Sequence, residues 1–374
     1  MSQQKQDVRS TDLLFQPYTM GNLQLPTRIV MAPMTRGFSP NGVPGADVAA
    51  YYRRRAENGV GLIITEGTGI DHPAAVESPS IPNFHGEAAL NGWAEVVKQV
   101  HEAGGKIMPQ IWHVGMTRSV GSEPNPEALP IGPSGLDLNG NKVTEPMTVD
   151  EIHYVVKAYA DAAANAKRIG FDGVEIHGAH GYLIDQFLWE TTNQRTDEYG
   201  GDMMKRARFA IEVVQAVRAA VGPDFPVALR LSQWKTTKYD AKLADTPEKL
   251  KELLTALSDA GVDIFHCSTR RFWEPEFEGS DLNFAGWAKK LTGKTVITVG
   301  SVGLDEAFTS LFTDGTGAGK KDIDDLLERL ENQEFDLVAV GRALLADPAW
   351  AAKVRDGRFD ELQAFTPEAL KTLV

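Results

Sequence analysis

Along most of the chain, short unbroken runs of Val, Ile, Leu and Ala alternate with longer segments whose apolar residues recur every three or four positions. Unbroken runs suit strands buried on both faces, and the spaced segments suit amphipathic helices. Residues 13–18 and 21–26 predict a small hairpin ahead of the main pattern. Eight strand-like runs follow, at 28–33, 61–67, 106–112, 173–176, 226–232, 263–268, 295–300 and 335–341. Predicted helices lie between them: Val48–Asn58, Glu87–Ala103, Val149–Arg168, Met203–Val221, Thr246–Ala260 and Phe284–Leu291. Further helical material spans 304–330, interrupted at 313–320, and Asp347-Pro348 opens a last helix. Thr246 before Pro247 is a helix start signal, because a side-chain oxygen can cap free N–H groups and proline needs no donor there. Long loops follow the third run (115–146, rich in Pro, Gly and Asn) and the sixth.

Eight alternating units in one chain predict a single α/β domain over residues 13–374, a (β/α)8 TIM barrel with an N-terminal β-hairpin cap and a flexible tail at 1–12. A doubly wound sheet competes, but no glycine-rich dinucleotide fingerprint follows the first run. In a barrel the chemistry belongs at the C-terminal ends of the strands. That rule gathers scattered polar residues onto one rim. Pro33, Met34 and Thr35 end the first strand, Gly67 the second, and Gln110 and Trp112 the third. His177, His180 and Tyr182 follow the fourth, and Arg230 sits on the fifth. Gly300, Ser301 and Gly303 follow the seventh, and Gly341 and Arg342 the eighth.

Small residues after the last two strands let backbone N–H groups approach an anion, and Arg342 adds a charged fork; together they favour a phosphate site over plain turns. Arg230 admits two readings, a structural salt bridge or a cation beneath an electron-rich ring. Gln110 is either a satisfied core amide or a partner for a pyrimidine-like edge. His177 and His180 could be metal ligands, structural histidines or donors to an oxyanion; Tyr182 would then be the proton source. Trp112 either walls a pocket or packs the barrel. Trp273, with Phe272 on the loop after the sixth strand, is either a lid or a surface patch.

Composition narrows the partners. The formal net charge is −13, which argues against nucleic acid or an anionic membrane surface. One cysteine, Cys267, excludes internal disulfides and thiolate metal clusters. No apolar run reaches membrane-spanning length and no signal-peptide core is present, so a cytoplasmic protein is expected.

Four longer motifs carry a resemblance: Arg28-Ile-Val-Met-Ala-Pro-Met-Thr-Arg36, His177-Gly-Ala-His-Gly-Tyr-Leu-Ile-Asp-Gln-Phe-Leu188, Asn193-Gln-Arg-Thr-Asp-Glu-Tyr-Gly-Gly201 and Val340-Gly-Arg-Ala-Leu-Leu-Ala-Asp-Pro348. With them the chain resembles the Old Yellow Enzyme family of FMN-dependent ene-reductases, from about Leu13 to Trp350. The resemblance implies non-covalent FMN across the barrel mouth, reduced by NADPH or NADH. Pro33, Met34 and Thr35 would line the flavin, and Gly67, Gln110 and Arg230 would hold its ring system. Gly300, Ser301, Gly303, Gly341 and Arg342 would hold its phosphate. Hydride from flavin N5 would pass to the β-carbon of an enone, enal, maleimide or nitroalkene; His177 and His180 would bind the activating oxygen and Tyr182 would protonate the α-carbon. Trp112 and Trp273 would border the substrate. Reduction of nitrate esters or nitroaromatics at the same site is the alternative.

The chain departs from the family pattern in places. His180 stands where many relatives have asparagine, and Thr35 where a subgroup has cysteine, which points to a threonine-type member. Met116 replaces a frequent arginine, and Asp202-Met-Met-Lys-Arg206 replaces Ser-x-Glu-Asn-Arg. Multidomain relatives carry an iron–sulfur cysteine cluster, so a single cysteine and an end at Val374 favour a stand-alone barrel; Leu370-Lys-Thr-Leu-Val374 offers no arginine to reach a neighbour's site, so a monomer or simple homodimer is expected. A Schiff-base aldolase is disfavoured because no lysine was found at a strand's C-terminal end.

Overall fold

The computed structural model describes residues 9–307, 310 and 315–374. A two-stranded hairpin, β1 (Tyr18–Met20) and β2 (Leu23–Leu25), precedes a closed parallel barrel. The barrel strands are β3 (Ile29–Met31), β4 (Leu62–Gly69), β5 (Lys106–Trp112), β6 (Val174–His180), β7 (Val227–Lys235), β8 (Ile264–Ser268), β9 (Thr295–Val299) and β10 (Leu337–Val340). Each pairs with its sequence neighbours, and β10 closes on β3 with Val338 opposite Ile29. A bulge between Ile64 and Gly67 shifts the β4–β5 register, which turns the end of β4 toward the mouth.

Helices α1 (Ala46–Glu57), α2 (Glu87–Glu102), α3 (Val149–Arg168), α4 (Leu183–Leu188), α5 (Met203–Val221), α6 (Pro247–Ala260), α7 (Phe284–Thr292), α8 (Asp324–Glu331), α9 (Arg342–Ala346) and α10 (Trp350–Arg355) accompany the strands. Local chemistry sets their starts. Thr148 and Glu151 form a reciprocal capping box at α3, and the Thr246 side chain accepts from Lys249 N–H at α6, so donors that lack a partner at each helix start are satisfied.

Alternation along the strands sends one set of side chains outward against the helices and the other into the barrel. The inward set begins with an apolar layer that includes Leu62, Ile64, Met108, Ala228, Ile264 and Leu337. Leu23 and Leu25 of the hairpin pack into the same layer, and Tyr18 Oη meets Thr295 Oγ1 at 2.8 Å. The hairpin is therefore the floor of the barrel. Above the apolar layer the inward residues become polar.

The expected elements differ from the observed ones in three places. Of the expected helical stretch, residues 304–307 and 321–323 are not helical and α8 begins at Asp324; positions 308, 309, 311 and 312 of it lie outside the described residues, as do 313 and 314 of the expected interruption, whose residues 315–320 are non-helical. The helix α4 directly after His180 and Tyr182 was not anticipated. Of the expected tail, residues 1–8 lie outside the described residues, while Arg9 pairs with Glu328 and Glu331 and a 3-10 turn begins at Asp12.

Candidate active site

The barrel mouth holds a cavity of about 750 Å³. Its walls include Pro33, Met34, Thr35, Gly67, Gln110, Trp112, His177, His180, Tyr182, Arg230, Gly300, Ser301, Gly341 and Arg342. Two expected residues are not among them. Gly303 lies against Trp350. Trp273 packs edge-on against Phe272 and beneath the Lys321 ammonium, 3.3 Å from the ring centroid, so it does not face the cavity as a substrate wall. Sequence reasoning also missed lining residues: Trp234, Thr236, Tyr239, Ser268, Arg270, Phe365 and Leu370.

At one end His177, Trp112 and Tyr182 form an aromatic cluster. The Trp112 and His177 rings stack at 6.0 Å, and Tyr182 meets each edge-on at 4.9 Å. His177 Nδ1 accepts the Ala179 N–H at 3.3 Å. Burial, with Arg230 and His266 nearby, holds the His177 imidazole well below its usual pKa, so the ring is neutral. A neutral ring accepting at Nδ1 carries its proton on Nε2. His177 is thus a hydrogen-bond donor.

His180 is arranged differently. Its backbone takes the left-handed conformation, φ 64°, which is unfavourable for a side-chain-bearing residue. The Ser232 hydroxyl accepts its N–H at 2.9 Å, and the Asp185 carboxylate accepts the next N–H, from Gly181, at 2.7 Å. The ring Nε2 meets Ser268 Oγ at 2.8 Å. One imidazole nitrogen is therefore engaged by the protein, while the expectation was that both rings bind one ligand oxygen. Burial, reinforced by Arg230, also keeps this ring neutral. For Tyr182 burial dominates, Glu77 adds to it and Arg230 opposes it; together they push the phenol up to about 12. It is protonated across the ordinary pH range.

At the floor of the mouth Arg230 projects from β7. Burial lowers its pKa to about 10, with Glu175 opposing the shift, so the guanidinium stays cationic. Gln110 faces it from β5. Gly67 must lack a side chain, because a Cβ there would lie 2.5 Å from Trp112 Cε3. At the opposite end Gly300 has φ 149° and Ser301 φ 50°, which opens the backbone beside Arg342. Burial also lowers Arg342 to about 10, and its Nη2 donates to Ser301 Oγ at 3.3 Å.

The lower rim is fastened from two sides. The Glu66 carboxylate accepts the N–H groups of Arg36 and Gly37 at 2.9 and 3.0 Å, which fixes the loop that carries Thr35. Arg36 Nη2 in turn donates to the carbonyls of Ala369, Leu370 and Thr372 at 3.1, 3.2 and 2.8 Å. These bonds hold the C-terminal segment beside the mouth, where Leu370 lines the cavity; Phe365, which also lines it, pairs its backbone with Ala318.

The residues present fit an aromatic ring system bearing a phosphate. Trp112 Nε1, Arg230 Nε and Arg342 Nη1 are buried without a partner among the described residues, and buried donors of this kind call for an acceptor. A guanidinium and an amide lie at the centre of the mouth, and an open backbone turn with a second guanidinium lies at its edge. Among the described residues no group of three or more His, Cys, Asp or Glu side chains is placed to hold a metal ion, and no helix is long and apolar enough to cross a membrane.

Fold and site together define a flavin-binding oxidoreductase barrel. Residues 13–361 match the model of the NADH:flavin oxidoreductase / NADH oxidase family. The chain is 33% identical over 359 residues to NADH oxidase of Thermoanaerobacter brockii; the match covers 94% of this chain but 52% of that protein, so the chain spans about half its length. It is 35% identical over 351 residues to 12-oxophytodienoate reductase 2 of Arabidopsis thaliana, covering 90% of this chain and 86% of that one. Morphinone reductase, solved in complex with tetrahydroNAD, superposes with a TM-score of 0.80 at 32% identity, covering 96% of this chain and 93% of that one. An Old Yellow Enzyme homologue from Zymomonas mobilis gives 0.77 at 27%, covering 96% of each chain. The chain belongs to this family, that of Old Yellow Enzyme. It is an NAD(P)H-dependent oxidoreductase with FMN as its cofactor.

Proposed function

We propose that the enzyme is an ene-reductase that saturates alkenes conjugated to a carbonyl or nitro group. The observation that carries this reading is the pairing, on one wall of the mouth, of a neutral imidazole with its proton on Nε2 (His177) and a protonated phenol (Tyr182), their rings 4.9 Å apart. FMN, when bound, supplies the hydride and is reloaded by NAD(P)H. The protein supplies the rest. Gln110 and Arg230 hold the ring system, the Arg230 cation favours an electron-rich ligand above it, and Arg342 with the Gly300–Ser301 turn holds the phosphate. His177 Nε2–H donates to the activating oxygen of the substrate, where negative charge grows as the β-carbon accepts hydride. A donor placed for such charge is worth about 2.7–4 kcal/mol. His180 takes part once its ring is released from, or shared with, Ser268. Tyr182 gives its proton to the α-carbon. Trp112 closes the wall against water.

One mouth serves both half-reactions, so reductant and alkene alternate in it. The test is an absorption spectrum of the purified protein, then anaerobic reduction by NADPH or NADH and reoxidation by 2-cyclohexenone. Bleaching of a yellow protein by a nicotinamide and recovery of colour with one equivalent of saturated ketone are expected. Reduction by nicotinamide without reoxidation by any enone, maleimide or nitroalkene would sink the reading.

A further inference from the structure

Strand alternation puts Glu175 on the same inward face as His177, two residues earlier, hence one layer deeper in the barrel. Its side chain is fully buried, as is that of His266 on β8. Both carboxylate oxygens are engaged. Oε1 accepts Gln110 Nε2 at 2.8 Å, and Oε2 meets His266 Nδ1 at 2.7 Å. An ionised carboxylate only accepts hydrogen bonds. It therefore decides the orientation of both partners: His266 has its proton on Nδ1, and Gln110 turns its NH₂ group down and leaves its carbonyl oxygen for the mouth. The His266 Nε2 atom is buried with no partner among the described residues, consistent with a bare lone pair on that nitrogen. Arg230 pairs in register with both His177 and His266, and attraction to Glu175 is the leading influence that supports its charge against burial.

We propose that Glu175 is a positioning residue that sets the electron affinity of the bound flavin from beneath. It acts in two ways. Its negative charge offsets the Arg230 cation, so the floor of the mouth is close to neutral and favours the electron-rich reduced ring less than a bare arginine would. Its grip on Gln110 offers the ring an acceptor, which suits an N–H on a pyrimidine-type edge. The inference rests on the flavin lying at this mouth and extends that reading to a residue that touches neither cofactor nor substrate.

The test is the midpoint potential of the FMN holoenzyme, measured by equilibration with reference dyes. Glu175→Gln keeps the shape and removes the charge; its potential is expected to shift positive, with reduction by NAD(P)H no slower and reoxidation by alkene slower. A yellow Glu175→Gln protein whose potential equals or lies below that of the parent overturns the proposal. Should Glu175→Gln fail to fold or to retain FMN, two variants at His266 decide. His266→Leu withdraws a hydrogen bond that favours the ionised carboxylate and so weakens the negative charge beneath the mouth; the potential should shift positive, and no shift, or a negative one, overturns the proposal. His266→Asn keeps a donor near the Nδ1 position and should match the parent; a shift as large as that of His266→Leu overturns it too. A parent protein that binds no flavin would instead refute the functional assignment, so the two failures are distinguishable.

Discussion

Lys235 Nζ lies 2.9 Å from Asp185 Oδ1, and neither side chain is exposed to solvent. The ammonium also donates to the Gln233 carbonyl at 2.9 Å, and the other Asp185 oxygen accepts the Gly181 N–H. Lys235 is the last residue of β7, a strand end where the sequence reading found no lysine, and the pair fastens that end to the turn that presents His180 and Tyr182. Removing one partner of a buried ion pair strands the other charge, at a cost of about 3–5 kcal/mol. Asp185→Asn should lose stability of that order, and Asp185→Leu with Lys235→Met should recover most of it. Urea unfolding of the variants checks this; a single-variant loss below about 1 kcal/mol, the scale of an exposed pair, would place the pair in solvent.

Tyr182→Phe should be reduced by NAD(P)H at the parental rate. Its reoxidation by 2-cyclohexenone should slow by about 10²–10⁴, the usual worth of a positioned acid. Stopped-flow traces of the two half-reactions separate these effects. Equal slowing of both would move Tyr182 from proton donor to general packing.

Ser268→Ala tests the unequal roles of the histidines. The Ser268 hydroxyl holds His180 Nε2 at 2.8 Å, and a net hydrogen bond is worth about 0.5–1.5 kcal/mol. Freed of it, His180 should turn its proton to a ligand oxygen. Phenols, whose oxygen would sit at the histidine pair, should then bind tighter by up to about tenfold, read from their charge-transfer absorption. Weaker binding would mean that Ser268 orients the ring for the ligand.

The pH dependence of stability should carry a mark of Glu66. Burial pushes this carboxyl up to about 7, while the Gly37 and Arg36 N–H groups oppose the shift. A raised carboxyl pKa means that the folded state prefers the protonated form. Its contribution is fully present below about 4.5, is lost as pH rises through about 7, and amounts to roughly 2–4 kcal/mol. Glu66→Gln removes that dependence, so its Tm should exceed the parental Tm by more at pH 8 than at pH 5. A pH-independent difference would show that the carboxyl titrates at its ordinary value.

Trp273→Ala should leave KM for enones unchanged, because the ring is occupied by Phe272 and Lys321 outside the cavity. A several-fold rise in KM would show that the loop swings inward during turnover.

The barrel was readable because strands buried on both faces have almost no polar interruptions, and because barrel geometry sends strand ends to one rim. The residues chosen at those ends, from Pro33 to Arg342, fall around one cavity with the exception of Gly303. What escaped depends on contacts distant in sequence. Asp185 and Lys235 are 50 positions apart and look like ordinary surface charges in the sequence. Leu370 lies at the mouth where Arg36 gathers the carbonyls of a segment more than 300 residues away, and Phe365 where its backbone pairs with Ala318. Trp273 shares its loop with Arg270, which does line the cavity, and no local pattern tells which of the two turns inward. Glu175 was within reach: counting back two residues from His177 puts a carboxylate inside the barrel, where it requires partners.

The hairpin floor has a kinetic consequence. Leu23 and Leu25 stopper the barrel at one end, which leaves the mouth as the doorway among the described residues. A departing product must clear that doorway before the next reactant enters, and a surplus of either reactant blocks the other. High alkene should therefore slow turnover by excluding the nicotinamide, and high nicotinamide should relieve it.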